Sequence, residues 1–365
     1  MKKCICITLF LPFVMTTLSF SCDSTEQSQN MEVYLDPSHM PLPFHEPDPV
    51  SFVVMHESVT SAYWTDKRMR SATSFVSISG GELGGVRPTD REFIHKELKA
   101  NDLLPFYTSD DPIKADVENF PFSTGGRLAY IDSNGVDSYC SAQFVGSSRV
   151  IMTAAHCMQD RVTGMFYRNF NFRRAYNNGG GQSVGLICGA VYSDWKTGSE
   201  DKDNWKRDYG FFYTSSESEG GWLGLKKNEN YSNWTAIGYP VAYGTSQYTP
   251  KDKEPNLTVN DMFKMHNSAV VRTGRYMIRV DGGLVDKTHG IVTMNNNPMR
   301  SGSSGGAWIA DLTDYQGSGN YAIGLNSYHM RDKYTYEFGP EFDDLTLSLF
   351  EFVSNMKCKN TNWPF

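Results

Sequence analysis

From Gly126 onward the chain is divided into short apolar runs by Gly, Asn, Asp and Ser. The runs fall at 127–131, 142–145, 150–153, 184–191, 209–213, 269–271, 276–280, 307–309 and 322–325. Runs this short, with turn residues between them, are strands rather than helices. They predict an all-β barrel or sandwich. The glycine-rich stretch 177–181 reads as one of the intervening loops. The one strong helical pattern is 345–356, where Leu345, Leu349, Phe352, Val353 and Met356 recur at three-to-four spacing. No repeat of solenoid period is present.

The 365 residues exceed what one typical domain requires, and 39% hydrophobic content is enough for a buried core. The first 22 residues have the layout of a cleaved export signal. Lys2 and Lys3 precede an uncharged apolar stretch from Ile5 to Phe20, followed by Ser21 and polar sequence. Cys22 directly after Ser21 raises lipid anchoring as a minority expectation. No later stretch is long and apolar enough to cross a bilayer. Residues 23–120 differ in texture, with four prolines between 41 and 49, an apolar stretch at 51–55 and a charged, helix-compatible stretch at 90–99. They are expected to be a propeptide or N-terminal extension, and residues 121–365 the functional domain. A formal charge of -7 disfavours a nucleic-acid partner. Outside the leader and Cys22 the cysteines are Cys140, Cys157, Cys188 and Cys358. In an exported chain they suggest two disulfides, with three pairings open.

Three stretches carry chemistry. Thr153-Ala154-Ala155-His156-Cys157 follows an apolar run, which puts His156 at a strand end. Gly302-Ser303-Ser304-Gly305-Gly306 flanks a serine with glycines that allow a sharp turn and close approach to a ligand. Asp208 leads into the apolar run 209–213; Asp194, Asp201 and Asp203 are its rivals. A serine hydroxyl becomes a useful nucleophile when a neighbouring base takes its proton. An imidazole can do so near neutral pH and return the proton to a leaving amine. A buried carboxylate fixes the imidazole tautomer and stabilises the imidazolium. The glycine-flanked turn can aim the backbone N–H groups of Gly302 and Ser304 at a developing oxyanion. Neither metal-ligand spacing nor a nucleotide-binding glycine fingerprint is present, so no metal and no cofactor are expected.

These motifs resemble the chymotrypsin-like serine peptidases. The segment 153–157 matches that family's Thr-Ala-Ala-His-Cys at every position, and the order His, Asp, Ser is the same. The stretches 126–128, 221–224 and 237–240 resemble the bacterial glutamyl-endopeptidase branch. The resemblance spans about residues 120 to 358. It implies two six-stranded antiparallel Greek-key barrels with a C-terminal helix. It also implies a His156, Asp208 and Ser304 triad and a Cys140–Cys157 disulfide stapling the histidine loop, and it leaves Cys188 for Cys358. Asn326 and Ser327 would lie on the strand that lines substrate.

The sequence departs from the family in two places. Ser303 replaces the aspartate that receives a new N-terminal amine in trypsin-like zymogens, so that activation switch is not expected. Asn326 stands where glutamate-specific enzymes carry a histidine, and Met299 and Arg300 stand where an acid would hold a basic side chain. Strict glutamate preference is therefore not expected either. The sequence thus predicts a secreted, monomeric serine endopeptidase acting on polypeptides, activated from a zymogen by loss of its N-terminal part. The alternative is an inactive protease-like binding domain.

Overall fold

The computed structural model describes residues 50–55, 63–74, 113–196, 202–228, 231–241, 274–316, 318–329 and 336–356. All of them belong to one compact unit, Pro47–Phe365. The leader, Cys22, Cys358 and the stretches 90–99 and 269–271 lie outside the described residues.

Along the chain come β1 (Val50–Val54), α1 (Asp66–Ser71), β2 (Thr73–Ser74), β3 (Ile113–Lys114), β4 (Gly125–Ile131), β5 (Asp137–Phe144) and β6 (Val150–Thr153). Then follow β7 (Arg168–Asn177), β8 (Gly180–Val184), β9 (Leu186–Tyr192), β10 (Gly210–Thr214) and β11 (Gly224–Leu225). The second half holds β12 (Asn233–Gly238), β13 (Ile278–Thr288), β14 (Ile291–Met294), β15 (Ala307–Ala310), β16 (Tyr321–Leu325), β17 (Glu337–Pro340) and α2 (Asp344–Ser354).

These strands form two sheets. In the first, the order is β1-β9-β10-β6-β5-β4-β7-β8, with β2 on β5; in the second it is β11-β16-β15-β12-β13-β14-β17, with β3 on β13. One path occurs twice. A three-strand meander, β4-β5-β6 or β12-β13-β14, is followed by a strand that returns beside its first member, β7 or β15. A last strand, β10 or β17, returns beside the third. That is Greek-key connectivity, as the sequence predicts. The sheets exceed six strands because further strands, including β1, β2 and β3, add to them.

Periodicity explains most elements. In β7 the buried Phe170 and Phe172 alternate with polar positions. The glycine stretch turns the chain from β7 into β8, with Asn178 at φ 49° and Gly179 at φ 104°. The apolar run 184–191 is two strands, because the chain breaks at Gly185 and re-enters the sheet as β9. Helix α2 starts at a capping box between Asp343 and Thr346 and buries Leu349 and Val353. It ends at Ser354, so Met356 lies beyond it at φ 53°. Met356 is 39% exposed rather than part of the buried stripe.

The described strands of the N-terminal third pair with both sheets. β1 pairs with β9 over five residues, Val50 opposite Tyr192 to Val54 opposite Cys188. Trp64 is buried, its indole N–H donates to the Asn169 carbonyl, and its own carbonyl accepts from Arg173 at 3.1 Å. Arg173 also pairs with Asp66 at 2.7 Å. β3 pairs with β13. The boundary expected near residue 120 is folded in: Phe122, Ser123 and Thr124 are all buried. There Arg174 donates to the Ser123 carbonyl at 2.9 Å, and the Ser123 hydroxyl donates to that of Gly220 at 2.8 Å.

We predict that Trp64→Ala lowers unfolding free energy by about 3–5 kcal/mol, the usual cost of truncating a buried tryptophan. Denaturant titration of the purified protein checks this. A variant as stable as the wild type would mean the segment is a removable appendage.

Candidate active site

The first sheet supplies two of the chemistry-bearing side chains. β6 ends at Thr153, and a single 3-10 turn, Ala155–Cys157, carries His156 out of the strand. The 3-10 turn Lys202–Arg207 delivers Asp208 just before β10. β10 pairs with β6 in register, Gly210 opposite Thr153, so the two side chains emerge at the same end of the sheet.

Asp208 is fully buried. Its Oδ1 accepts from the His156 backbone N–H at 2.9 Å, and its Oδ2 lies 2.8 Å from His156 Nδ1. The Ser327 hydroxyl donates to Oδ2 at 2.5 Å. Burial acts to raise the Asp208 pKa, but the charge of His156 and these hydrogen bonds outweigh it and hold the carboxyl below its ordinary value. An ionised carboxylate only accepts, so Nδ1 carries a proton, and in the neutral imidazole the lone pair is on Nε2. Of the rival acids, Asp194 instead pairs with Arg207 at 3.5 Å. Asp201 and the side chain of Asp203 lie outside the described residues. Trp205 flanks the imidazole, its ring centroid 6.5 Å from that of His156, and Tyr328 packs on Trp205 at 4.7 Å.

The second sheet brings Ser304 to the same place. Its carbonyl accepts from the Ser141 backbone N–H at 2.8 Å and lies 3.9 Å from Cys157 Sγ, in the residue after His156. Cys157 is disulfide-bonded and has no S–H, so this is a contact and not a hydrogen bond. Gly305 has φ +83°, and a Cβ there would sit 2.2 Å from Thr153 Oγ1 and 2.8 Å from the Ala154 nitrogen. Only glycine permits this approach of the serine turn to the histidine turn. Between Ser301 and Ala310 only Ser304 is not buried. Ser303 is buried, and its hydroxyl donates to the Arg300 carbonyl at 2.7 Å. Neither the Gly302 nor the Ser304 N–H donates to a group among the described residues.

Cys140 and Cys157 form a disulfide that closes a separation of 17 residues. By loop-closure entropy this stabilises the histidine turn by roughly 3 kcal/mol. Because both sulfurs are joined, the close group of Cys140, Cys157 and His156 offers no thiolate to a metal. Cys188 is also disulfide-bonded, to a residue outside the described set.

Asn326 and Ser327 lie beside the turn that carries Ser304, but their side chains face inward. Asn326 Oδ1 accepts from Trp308 Nε1 at 2.8 Å and Asn297 Nδ2 at 3.0 Å. Its Nδ2 donates to the carbonyls of Ile237 and Ser303. Ser327 anchors Asp208. Sequence reasoning passed over Ser141 and Gln143 on β5. The Gln143 amide donates to the carbonyls of Gly305 at 3.0 Å and Met152 at 3.2 Å, and its oxygen accepts from the Ala307 N–H at 2.8 Å. The available signal was polar residues at alternate positions of an apolar strand, all on one face.

A second acid, Glu337, is 2% exposed, and its Oε2 has no hydrogen-bond partner among the described residues. Burial pushes its pKa well up, opposed by the charge of Arg300. The Tyr328–Phe338 bridge sets His329 opposite Glu337. Burial, reinforced by Arg300, pushes His329 well below its ordinary value.

No protein-family profile and no curated protein matches the chain. Solved structures do resemble it. A thermostable serine protease, AL20, from an extremophilic microorganism is 22% identical, with TM-score 0.49, covering 64% of this chain and 97% of its own. The protease Anisep of Arthrobacter nicotinovorans is 18% identical, with TM-score 0.48, covering 64% and 96%. A Glu endopeptidase is 17% identical, with TM-score 0.45, covering 68% and 97%.

The raised pKa of Glu337 makes a stability prediction. Above the ordinary carboxylate range the unfolded chain has lost this proton while the folded chain still holds it. Stability therefore falls as pH rises through that window. Glu337→Gln keeps the shape and removes the titration. The variant should gain on the wild type steadily as pH rises above the ordinary carboxylate range in urea unfolding. Parallel curves would show that the carboxyl is not held neutral.

Proposed function

We propose that this protein is an exported serine endopeptidase. The observation that carries the proposal is the buried carboxylate of Asp208 on Nδ1 of His156, beside a glycine-flanked serine turn in which the Gly302 and Ser304 N–H groups meet no acceptor among the described residues. In this reading Nε2 of His156 removes the Ser304 hydroxyl proton as Oγ attacks the carbonyl carbon of a peptide bond. The carbonyl π electrons move onto oxygen, which accepts hydrogen bonds from the N–H groups of Gly302 and Ser304. Such donors typically contribute roughly 3 kcal/mol each to transition-state stabilisation.

Asp208 stabilises the imidazolium without taking its proton. Collapse of the tetrahedral intermediate breaks the C–N bond, and the leaving amine takes the proton from Nε2. Water, deprotonated by the same nitrogen, then attacks the acyl ester and releases the acid and free Ser304. The Asn326 N–H and C=O and the Ser327 N–H are bonded within the protein, which leaves the Ser327 carbonyl as the backbone group of that strand to meet a bound chain. Export is supported by the leader-like start and by the Cys140–Cys157 disulfide, a bond that persists in oxidising compartments.

Labelling with a fluorophosphonate, followed by peptide mapping, should modify Ser304. Ser304→Ala should abolish both labelling and peptide hydrolysis while the protein stays folded. Asp208→Asn should lower kcat by about 10⁴-fold, because an amide presents the wrong group to Nδ1. A folded wild type that neither labels nor cleaves peptides would refute the proposal.

A further inference from the structure

We infer that Ser141 is the positioning residue of the oxyanion-binding turn, and that it holds the turn in order in the uncut chain. This inference rests on the endopeptidase reading and adds a device that the triad does not supply.

The turn is four successive peptide units, and each is pinned through its carbonyl. The Ser301 carbonyl accepts from the Val241 N–H at 2.8 Å. The Gly302 carbonyl accepts from the Ser141 hydroxyl at 2.8 Å. The Ser303 carbonyl accepts from the Gly306 N–H at 2.9 Å and from Asn326 Nδ2 at 3.3 Å. The Ser304 carbonyl accepts from the Ser141 N–H at 2.8 Å. In a trans peptide the C=O and the following N–H point in opposite directions. Pinning the carbonyls of Ser301 and Ser303 therefore turns the N–H groups of Gly302 and Ser304 the other way, where they meet no protein acceptor among the described residues.

Ser141 pins the two alternate units, from the opposite sheet. Its hydroxyl oxygen accepts from the Tyr239 N–H at 2.9 Å, which directs its own proton to the Gly302 carbonyl. The side chain is buried, so water cannot substitute for it. Gly302 itself stands at φ +92°, and a Cβ there would be 2.5 Å from the Tyr239 carbonyl and 2.7 Å from the Tyr139 hydroxyl. The turn thus has little freedom to flip.

The same contacts bear on activation. The stretch 297–306 contains no acid that could receive a new N-terminal amine, and Ser303 is tied within the turn. The chain around residue 122 is buried and hydrogen-bonded to the first sheet and to Gly220. Order in the turn comes from these contacts, with Ser141 of β5 holding two of its four carbonyls, and not from cleavage.

The test is fluorophosphonate labelling and peptide hydrolysis by the chain from residue 23 onward, with intact mass measured on the labelled species. The labelled chain should still contain residues on both sides of 120. Ser141→Ala should lower the labelling rate and kcat by about ten- to a hundredfold, with KM changed by less than about twofold. Ser141→Thr should restore most of the loss. If Ser141→Ala does not fold, Ser141→Cys preserves the volume but donates weakly, and it should show the same kcat-selective loss. Equal labelling of wild type and variants, or equal changes in kcat and KM, would overturn the positioning role. Labelling only of chains cut near 120 would overturn activity in the uncut form. A wild type that never labels would sink the endopeptidase reading itself, and this inference with it.

Discussion

An ionised carboxylate at zero exposure cannot exist without donors, and Asp208 determines much of the architecture around it. Its donors come from separate parts of the chain: the N–H and Nδ1 of His156 at the end of β6, and the hydroxyl of Ser327 after β16. The first two lie in one sheet and the third in the other, so the buried charge is a point at which both sheets must agree. A sheet displaced by an ångström or two would leave the anion short of a donor, at a cost of several kcal/mol. The same demand fixes the imidazole ring. With Nδ1 held on Oδ2, rotation and tautomer are both settled, and the basic nitrogen is the one facing away from the carboxylate.

The second constraint is the seam along β5. Tyr139, Ser141 and Gln143 project from one face of that strand, and each meets the other sheet. The Tyr139 hydroxyl donates to the Tyr239 carbonyl at 3.2 Å, and Ser141 and Gln143 hold the turn bearing Ser304. Arg127 lies behind them, its guanidinium 3.4 Å from the Tyr139 ring and 4.7 Å from that of Tyr176. No carboxylate pairs with it among the described residues, so aromatic faces and two backbone carbonyls carry the buried cation. The hydrogen bonds of Tyr139, Ser141 and Gln143 favour one arrangement of the sheets, where an apolar seam would tolerate sliding.

How much of this was legible depended on whether the information was local. The runs at 127–131, 150–153, 307–309 and 322–325 became β4, β6, β15 and β16 because alternation and turn residues act over a few positions. The histidine and serine motifs were legible for the same reason: each packs its chemistry into five consecutive residues. β7 was missed because Phe170 and Phe172 sit among charged residues whose exposure depends on the partner strand. Which sheets β1, β2 and β3 join was not legible, because their partners β9, β5 and β13 lie far along the chain. β1 covers the outer edge of β9, an exposed edge being a liability in any open sheet. Ser141 and Gln143 were obscured because a serine or glutamine inside an apolar strand has no partner visible in sequence.

The inward commitment of Asn326 also constrains how the protein could choose substrates. A primary amide has two acceptor positions and two donors, and here all four are occupied, by Trp308, Asn297, Ile237 and Ser303. Reaching outward would mean abandoning at least one buried partner, at about 1–3 kcal/mol for each group left unpaired. A histidine in its place would leave those four partners a different geometry to meet. The Asn326 side chain is a strut between β12, β15 and the turn 302–306. In the proposed endopeptidase, discrimination among side chains then has to arise beyond this residue, where Tyr328 packs on Trp205 and His329 lies opposite Glu337.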